Sequence, residues 1–123
     1  METIEELKTR YVERLRRESD RYRQSAARSA SQGRTDDANL DKIRDNIVNI
    51  FITLADATPG KSYTSYCQGY LARFDTIPAS WRQRLTQAQA HSDGTTAAIE
   101  MVKLETAEGL RAMFLEEMEA DHD

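Results

Sequence analysis

Leu40-Asp41-Lys42-Ile43-Arg44-Asp45-Asn46-Ile47-Val48-Asn49-Ile50-Phe51-Ile52-Thr53-Leu54 is the stretch that decides the fold. Leu40, Ile43, Ile47, Ile50 and Leu54 recur at steps of three and four, which puts all five on one face of an α-helix. Val48, Phe51, Ile52 and Ala55 widen that face. A helix apolar over so wide an arc needs neighbours on more than one side. Ile47, Ile50, Phe51 and Leu54 are therefore expected to be almost fully buried. The remaining chain is polar, with a mean hydropathy of -0.72, so this helix is expected at the centre of a small bundle.

The boundaries follow from capping chemistry. Thr3 with Glu6 forms a capping box that opens a first helix, whose inner face carries Ile4, Leu7, Tyr11, Leu15, Tyr22 and Ala26. Gly33 ends it, because glycine accepts the left-handed conformation. That makes about 28 residues, or roughly 42 Å. Thr35 or Asp36 caps the central helix, which runs from 36 to 57 and stops at Thr58-Pro59-Gly60. Ser62 caps a third helix carrying Tyr63, Tyr66, Cys67, Tyr70, Leu71 and Phe74. Thr76-Ile77-Pro78 interrupts it, and Ser80 with Gln83 opens a short helix that turns Trp81, Leu85 and Ala88 inward. His91 to Gly94 is a turn, and a last helix runs from about Thr96 to Glu119. No segment alternates as a strand would. The predicted architecture is a single all-α domain over 1–123, an antiparallel bundle of four to five helices joined by short loops.

Size and composition agree with one domain. The chain has 123 residues, 31% of them charged and only 5 Gly and 2 Pro, which is neither a disordered nor a disulfide-stapled composition. The formal net charge of -4 argues against general affinity for nucleic acid or anionic lipid. Cys67 is the only cysteine, so an intrachain disulfide is excluded and a reducing compartment is implied. The acidic first residues lack the apolar run of a secretory signal. No apolar run approaches the ~20 residues of a membrane span. The chain is expected to be cytoplasmic.

Four features bear on function. Arg10, Arg14, Arg17, Arg21 and Arg28 fall within about 60° of one another on the first helix. Residues 1–34 hold nine Lys/Arg against six Asp/Glu, and the remainder eight against fifteen. Guanidinium forks in such a row suit phosphate. Glu6 to Arg10, Glu13 to Arg17 and Glu18 to Arg21 are also ordinary helix-surface pairs, and an acidic neighbouring helix or subunit would meet the row equally well. Tyr63, Tyr66 and Tyr70 crowd one face of the third helix. With His91 they are candidates for a ligand pocket, though tyrosines at this spacing also suit a core. Cys67 has only His91 and His122 as possible bases, which speaks against a Cys/His nucleophile. His91 and Asp93 are too few to make a metal site, and Asp93 serves equally as a helix cap. No cofactor is implied.

The fourth feature is in the last helix. Ile99, Val102, Leu110, Met113 and Phe114 make one apolar face, while Met101, Leu104, Leu115 and Met118 make a second, roughly 140° or more away. A peripheral helix needs only one. The second face is the candidate homodimer interface, and Leu104→Glu or Leu115→Glu would then give a folded monomer. The sequence thus favours a non-enzymatic interaction or regulatory protein that self-associates through its last helix. The alternative is a binder of a small phosphate-bearing ligand, conceivably an enzyme, which requires the arginine row, the tyrosines and His91 to converge on one pocket.

Overall fold

The computed structural model describes residues 2–120, so His122 lies outside it. It contains five helices: α1 (Ile4–Ser31), α2 (Thr35–Ala57), α3 (Tyr63–Thr76), α4 (Ala79–Ala90) and α5 (Gly94–Ala120). The predicted all-α bundle is what forms, with no strand among the described residues. None of these helices is long and apolar enough to cross a membrane.

The ends of the helices explain their lengths. The Thr3 hydroxyl accepts from the Glu6 amide and opens α1. Gly33 closes it at φ 74°, with Gly33 N–H donating to Ala30 O and Arg34 N–H to Ser29 O. This is the paired bonding of a Schellman stop. Arg34 then begins α2 at once, its carbonyl accepting from Ala38 N–H at 3.1 Å. Thr35 and Asp36 therefore lie at or inside the helix start, and α2 has no side-chain cap. At α3, Ser62 caps the Ser65 amide and Ser65 reaches back to the Ser62 amide.

Between α3 and α4 the chain barely leaves helical geometry. Ile77 is in the right-handed region and Pro78 itself begins α4, so Ser80 lies inside the helix and makes no capping box. Proline removes one donor, and the Arg82 guanidinium supplies a substitute by donating to Phe74 O and Asp75 O at 3.4 and 3.3 Å. Asp93 caps α5 by accepting from the Thr96 hydroxyl at 2.7 Å and from the Thr96 amide at 3.1 Å, and these bonds, the hydroxyl's first, hold its carboxyl below the usual range.

α1 and α2 are antiparallel partners. α5 runs antiparallel to α1, with Arg10 and Arg14 near its end at Glu116 and Glu117. Its start lies beside the start of α2. α2 packs on α1, α3 and α5, and α5 meets all four other helices. The core they enclose is aromatic. Tyr11, Phe51, Tyr66, Tyr70, Phe74 and Phe114 are fully or nearly fully buried. The Tyr11 and Tyr70 hydroxyls are 2.7 Å apart, and Tyr66 donates to Ala55 O at 2.7 Å.

The expected burial of α2 needs correcting at two positions. Ile47 and Phe51 are buried, but Ile50 is 40% exposed and Leu54 is only partly covered. The buried arc centres on Val48, Phe51 and Ala55, because α1 takes the side bearing Asp41, Asp45 and Asn49. Asp45 accepts from Ser19, from Arg23 at 3.0 Å and from Asn49 at 2.9 Å. A polar seam thus draws α2 around and turns the far edge of its apolar stripe to the surface.

Gly60 marks the tightest approach in the loops. A Cβ there would sit 2.6 Å from Tyr66 Cβ and 3.0 Å from its Cα. Gly60→Ala is expected to lower stability by about 1–2 kcal/mol, the overpacking being partly offset by the stiffer unfolded chain. Chemical denaturation checks this, and an unchanged midpoint would show that the loop yields freely.

Candidate functional site

The arginine row of α1 divides into three parts. Arg10 pairs with Glu2 and with Glu117 in place of the expected Glu6, which is taken up with Thr3; its Nε is 3.2 Å from Glu117 Oε2 and its Nη2 donates to the Glu117 carbonyl at 2.9 Å. Arg14 reaches Glu116 at 2.8 Å. These two bind the end of α5, where cations also meet the negative pole of the helix. Arg17 and Arg21 make the local pairs expected with Glu13 and Glu18, at 3.5 and 2.6 Å. Arg28 is the one member of the row with no carboxylate partner among the described residues.

The tyrosines go elsewhere. Tyr66 and Tyr70 are buried among α1, α2 and α5, while Tyr63 is half-buried with its hydroxyl 3.4 Å from Glu2. Burial pushes the Tyr66 phenol up to about 12 and raises those of Tyr11 and Tyr70 further. Cys67 is also buried, and burial raises its thiol. A thiol held protonated in the core is a poor nucleophile at neutral pH. His91 is exposed at the α4–α5 turn, where its amide closes α4 and its neighbours are Arg84, Gln87 and Asp93. Arg10 and Tyr63 thus meet at the buried Glu2 carboxylate, but among the described residues row, tyrosines and histidine do not converge on one cleft. Among the described residues, no three His, Cys, Asp or Glu side chains gather as metal ligands would.

The expected second face of α5 is also largely absorbed. Leu104 and Met118 pack against the core, and Leu115 is half-buried. α4 packs along α5, with Arg84 beside Glu100 and Trp81 beside Lys103. Met101 alone stands clear of the bundle, at 45% exposure. The apolar surface left over lies one step around, where α2 and α5 run side by side. Leu40 and Ile43 from α2 and Ala98 and Ile99 from α5 line an open cleft of about 470 Å³, with Asp36 and Thr95 at its end. Ile50 lies two helical turns along α2 from Ile43, and Met101 follows Ala98 by three residues. Among the described residues they are the two most exposed large apolar side chains.

A second cleft is wholly polar. It opens at the α1–α2 turn, has a volume of about 380 Å³, and draws Arg28, Arg34 and Arg44 together with Ser25 and Ser29. Only Arg28 of these stood out in the sequence. Arg34 and Arg44 arrive through the tight turn and the antiparallel pairing, neither of which leaves a periodic signal.

Comparison with protein-family models, curated proteins and solved structures gives no match to this chain.

Proposed function

We infer that this chain is a non-enzymatic interaction module that pairs with a second copy of itself through the outer edge of α2 and α5. The observation that carries the reading is the exposure of Ile50 and Met101 beside the Leu40–Ile43–Ile99 cleft. A projection and a hollow lie on the same helix, seven residues or about 10 Å apart. Such a face is self-complementary. A two-fold axis passing near Asn46 and Ile47 would seat Ile50 of each copy in the cleft of the other, as an isologous dimer requires. The centre of the face is uncharged and apolar, with Asn39, Asn46 and Thr95 around it, which is the usual anatomy of a homodimer patch. Tyr66, Tyr70 and Cys67 are meanwhile engaged in the core, and Arg10, Arg14, Arg17 and Arg21 in ion pairs.

Light scattering at increasing concentration is expected to give a mass near twice 14.1 kDa. Ile50→Glu should return it to the monomer with unchanged helical content, since Ile50 is not needed inside. Leu104→Glu should instead weaken the fold, because that side chain packs on the core. A monomeric mass at high concentration would defeat the proposal, as would an Ile50→Glu variant that still dimerises.

A further inference from the structure

We propose that the polar cleft at the α1–α2 turn is a binding site for a small phosphomonoester carried on a polar, sugar-like body. Its basic groups come from both helices and from the turn between them. Arg28 has no carboxylate partner among the described residues and lines the cleft. Arg34 is fixed by its backbone at both ends, donating to Ser29 O at 2.8 Å and accepting from Ala38 N–H. Its guanidinium is braced by Asp37 at 2.6 Å, and that of Arg44 by the largely buried Asp41 at 2.7 Å.

Each of these two arginines spends part of its fork on one carboxylate and keeps further N–H groups for a ligand. Three arginines against two aspartates leave the cleft one positive charge in excess. Oriented guanidinium forks of this kind suit the tetrahedral oxygens of a phosphate, which accept two bonds at a time.

The rest of the ligand is constrained by the rest of the lining. A cleft of about 380 Å³ exceeds what a bare phosphate fills. Small-molecule sites are ordinarily lined by apolar and aromatic side chains. This one is lined by arginine, aspartate, serine and glutamine alone. An aromatic base would find no aromatic ring to stack on there, whereas a hydroxylated body would find donors and acceptors throughout. The site opens toward α1, about 100° around α2 from the Leu40–Ile43 cleft.

The test is a titration of the intact chain at low salt, followed by amide chemical shifts. Inorganic phosphate is expected to shift residues around Ser29, Arg34 and Arg44 saturably, and a hexose phosphate to bind more tightly. Arg28→Gln should weaken both by about 10-fold or more. Arg44→Lys, which keeps the charge and loses the fork, should also weaken them. Arg17→Gln, on the same row but outside the cleft, should change neither. Circular dichroism establishes that each variant is folded.

Shifts that fail to saturate, or that Arg28→Gln and Arg44→Lys leave unchanged, would overturn the site. A hexose phosphate no tighter than phosphate would overturn the sugar-like body. Tighter binding of single-stranded RNA, per phosphate, would replace the small molecule with a nucleic-acid backbone.

Discussion

Tyr70→Ala is expected to remove about 3–5 kcal/mol of stability, and Tyr70→Phe only about 0.5–1.5. A domain of this size holds about 5–15 kcal/mol in total, so the alanine variant should be largely unfolded on mild heating. The difference between the two substitutions follows from what the residue touches. The Tyr70 ring meets Tyr11 of α1 at 5.4 Å between centroids, Phe51 of α2 at 6.5 Å, Phe74 of its own helix at 5.3 Å and Phe114 of α5 at 4.7 Å. Truncation opens a void where four helices meet, and rings packed edge to face cannot collapse into it without giving up their own contacts. The hydroxyl contributes less. If it is deleted, Tyr11 still donates to Leu110 O at 3.3 Å, so no buried oxygen is stranded. Urea unfolding of both variants decides the point. If Tyr70→Ala cost no more than Tyr70→Phe, the aromatic cluster would be an incidental filling and not the centre of the fold.

That cluster was legible in the sequence, and the orientation of α2 was not. Leu7, Tyr11, Leu15 and Ala26 recur at helical steps among charges, so polar residues on either side fix which arc of α1 is buried. Tyr66, Tyr70 and Phe74 are read the same way. On α2 the apolar residues extend from Val48 around to Ile50, close to half the circumference, and hydropathy alone cannot choose among arcs that are all apolar. The choice was made by Asp41, Asp45 and Asn49, which a hydrophobic reading places outside. Asp45 is held by Ser19 and Arg23 of α1, Asn49 donates to the Asp45 carboxylate and to Ser19, and Asp41 is held by Arg44 of its own helix. A polar residue with a waiting partner is not a surface residue, and Ser19 and Arg23 are some twenty to thirty positions away in the chain. A separation of more than a hundred positions hid the pairing of Arg10 and Arg14 with Glu117 and Glu116. The second face of α5 seemed surplus for the same kind of reason, since Leu104 and Met118 pack against a core contributed from far along the chain.

The buried phenols set the alkaline limit of the fold. An unfolded tyrosine loses its proton near pH 10. In the native chain burial pushes Tyr66 up to about 12, and Tyr11 and Tyr70 higher still, because their shared hydrogen bond lies among aromatic rings that cannot solvate a phenolate. A raised native value means that the folded state holds protons the unfolded state would release. The stability from this source is full below pH 10 and is lost as the pH rises from about 10 through 12. The expected result is a cooperative transition in that interval, with helical ellipticity lost as the buried phenolates appear in the near ultraviolet. Lysines also discharge in this range, and Lys8 lies over the Tyr66 ring at 5.9 Å. The double variant Tyr66→Phe, Tyr70→Phe separates the two effects. It keeps every lysine and should move the midpoint to higher pH, although it is less stable than the parent at neutral pH. Phenolate absorbance that rises to its full extent while the helices stay intact would show that these hydroxyls reach water in the native state. An unmoved midpoint in the double variant would assign the alkaline limit to the lysines instead.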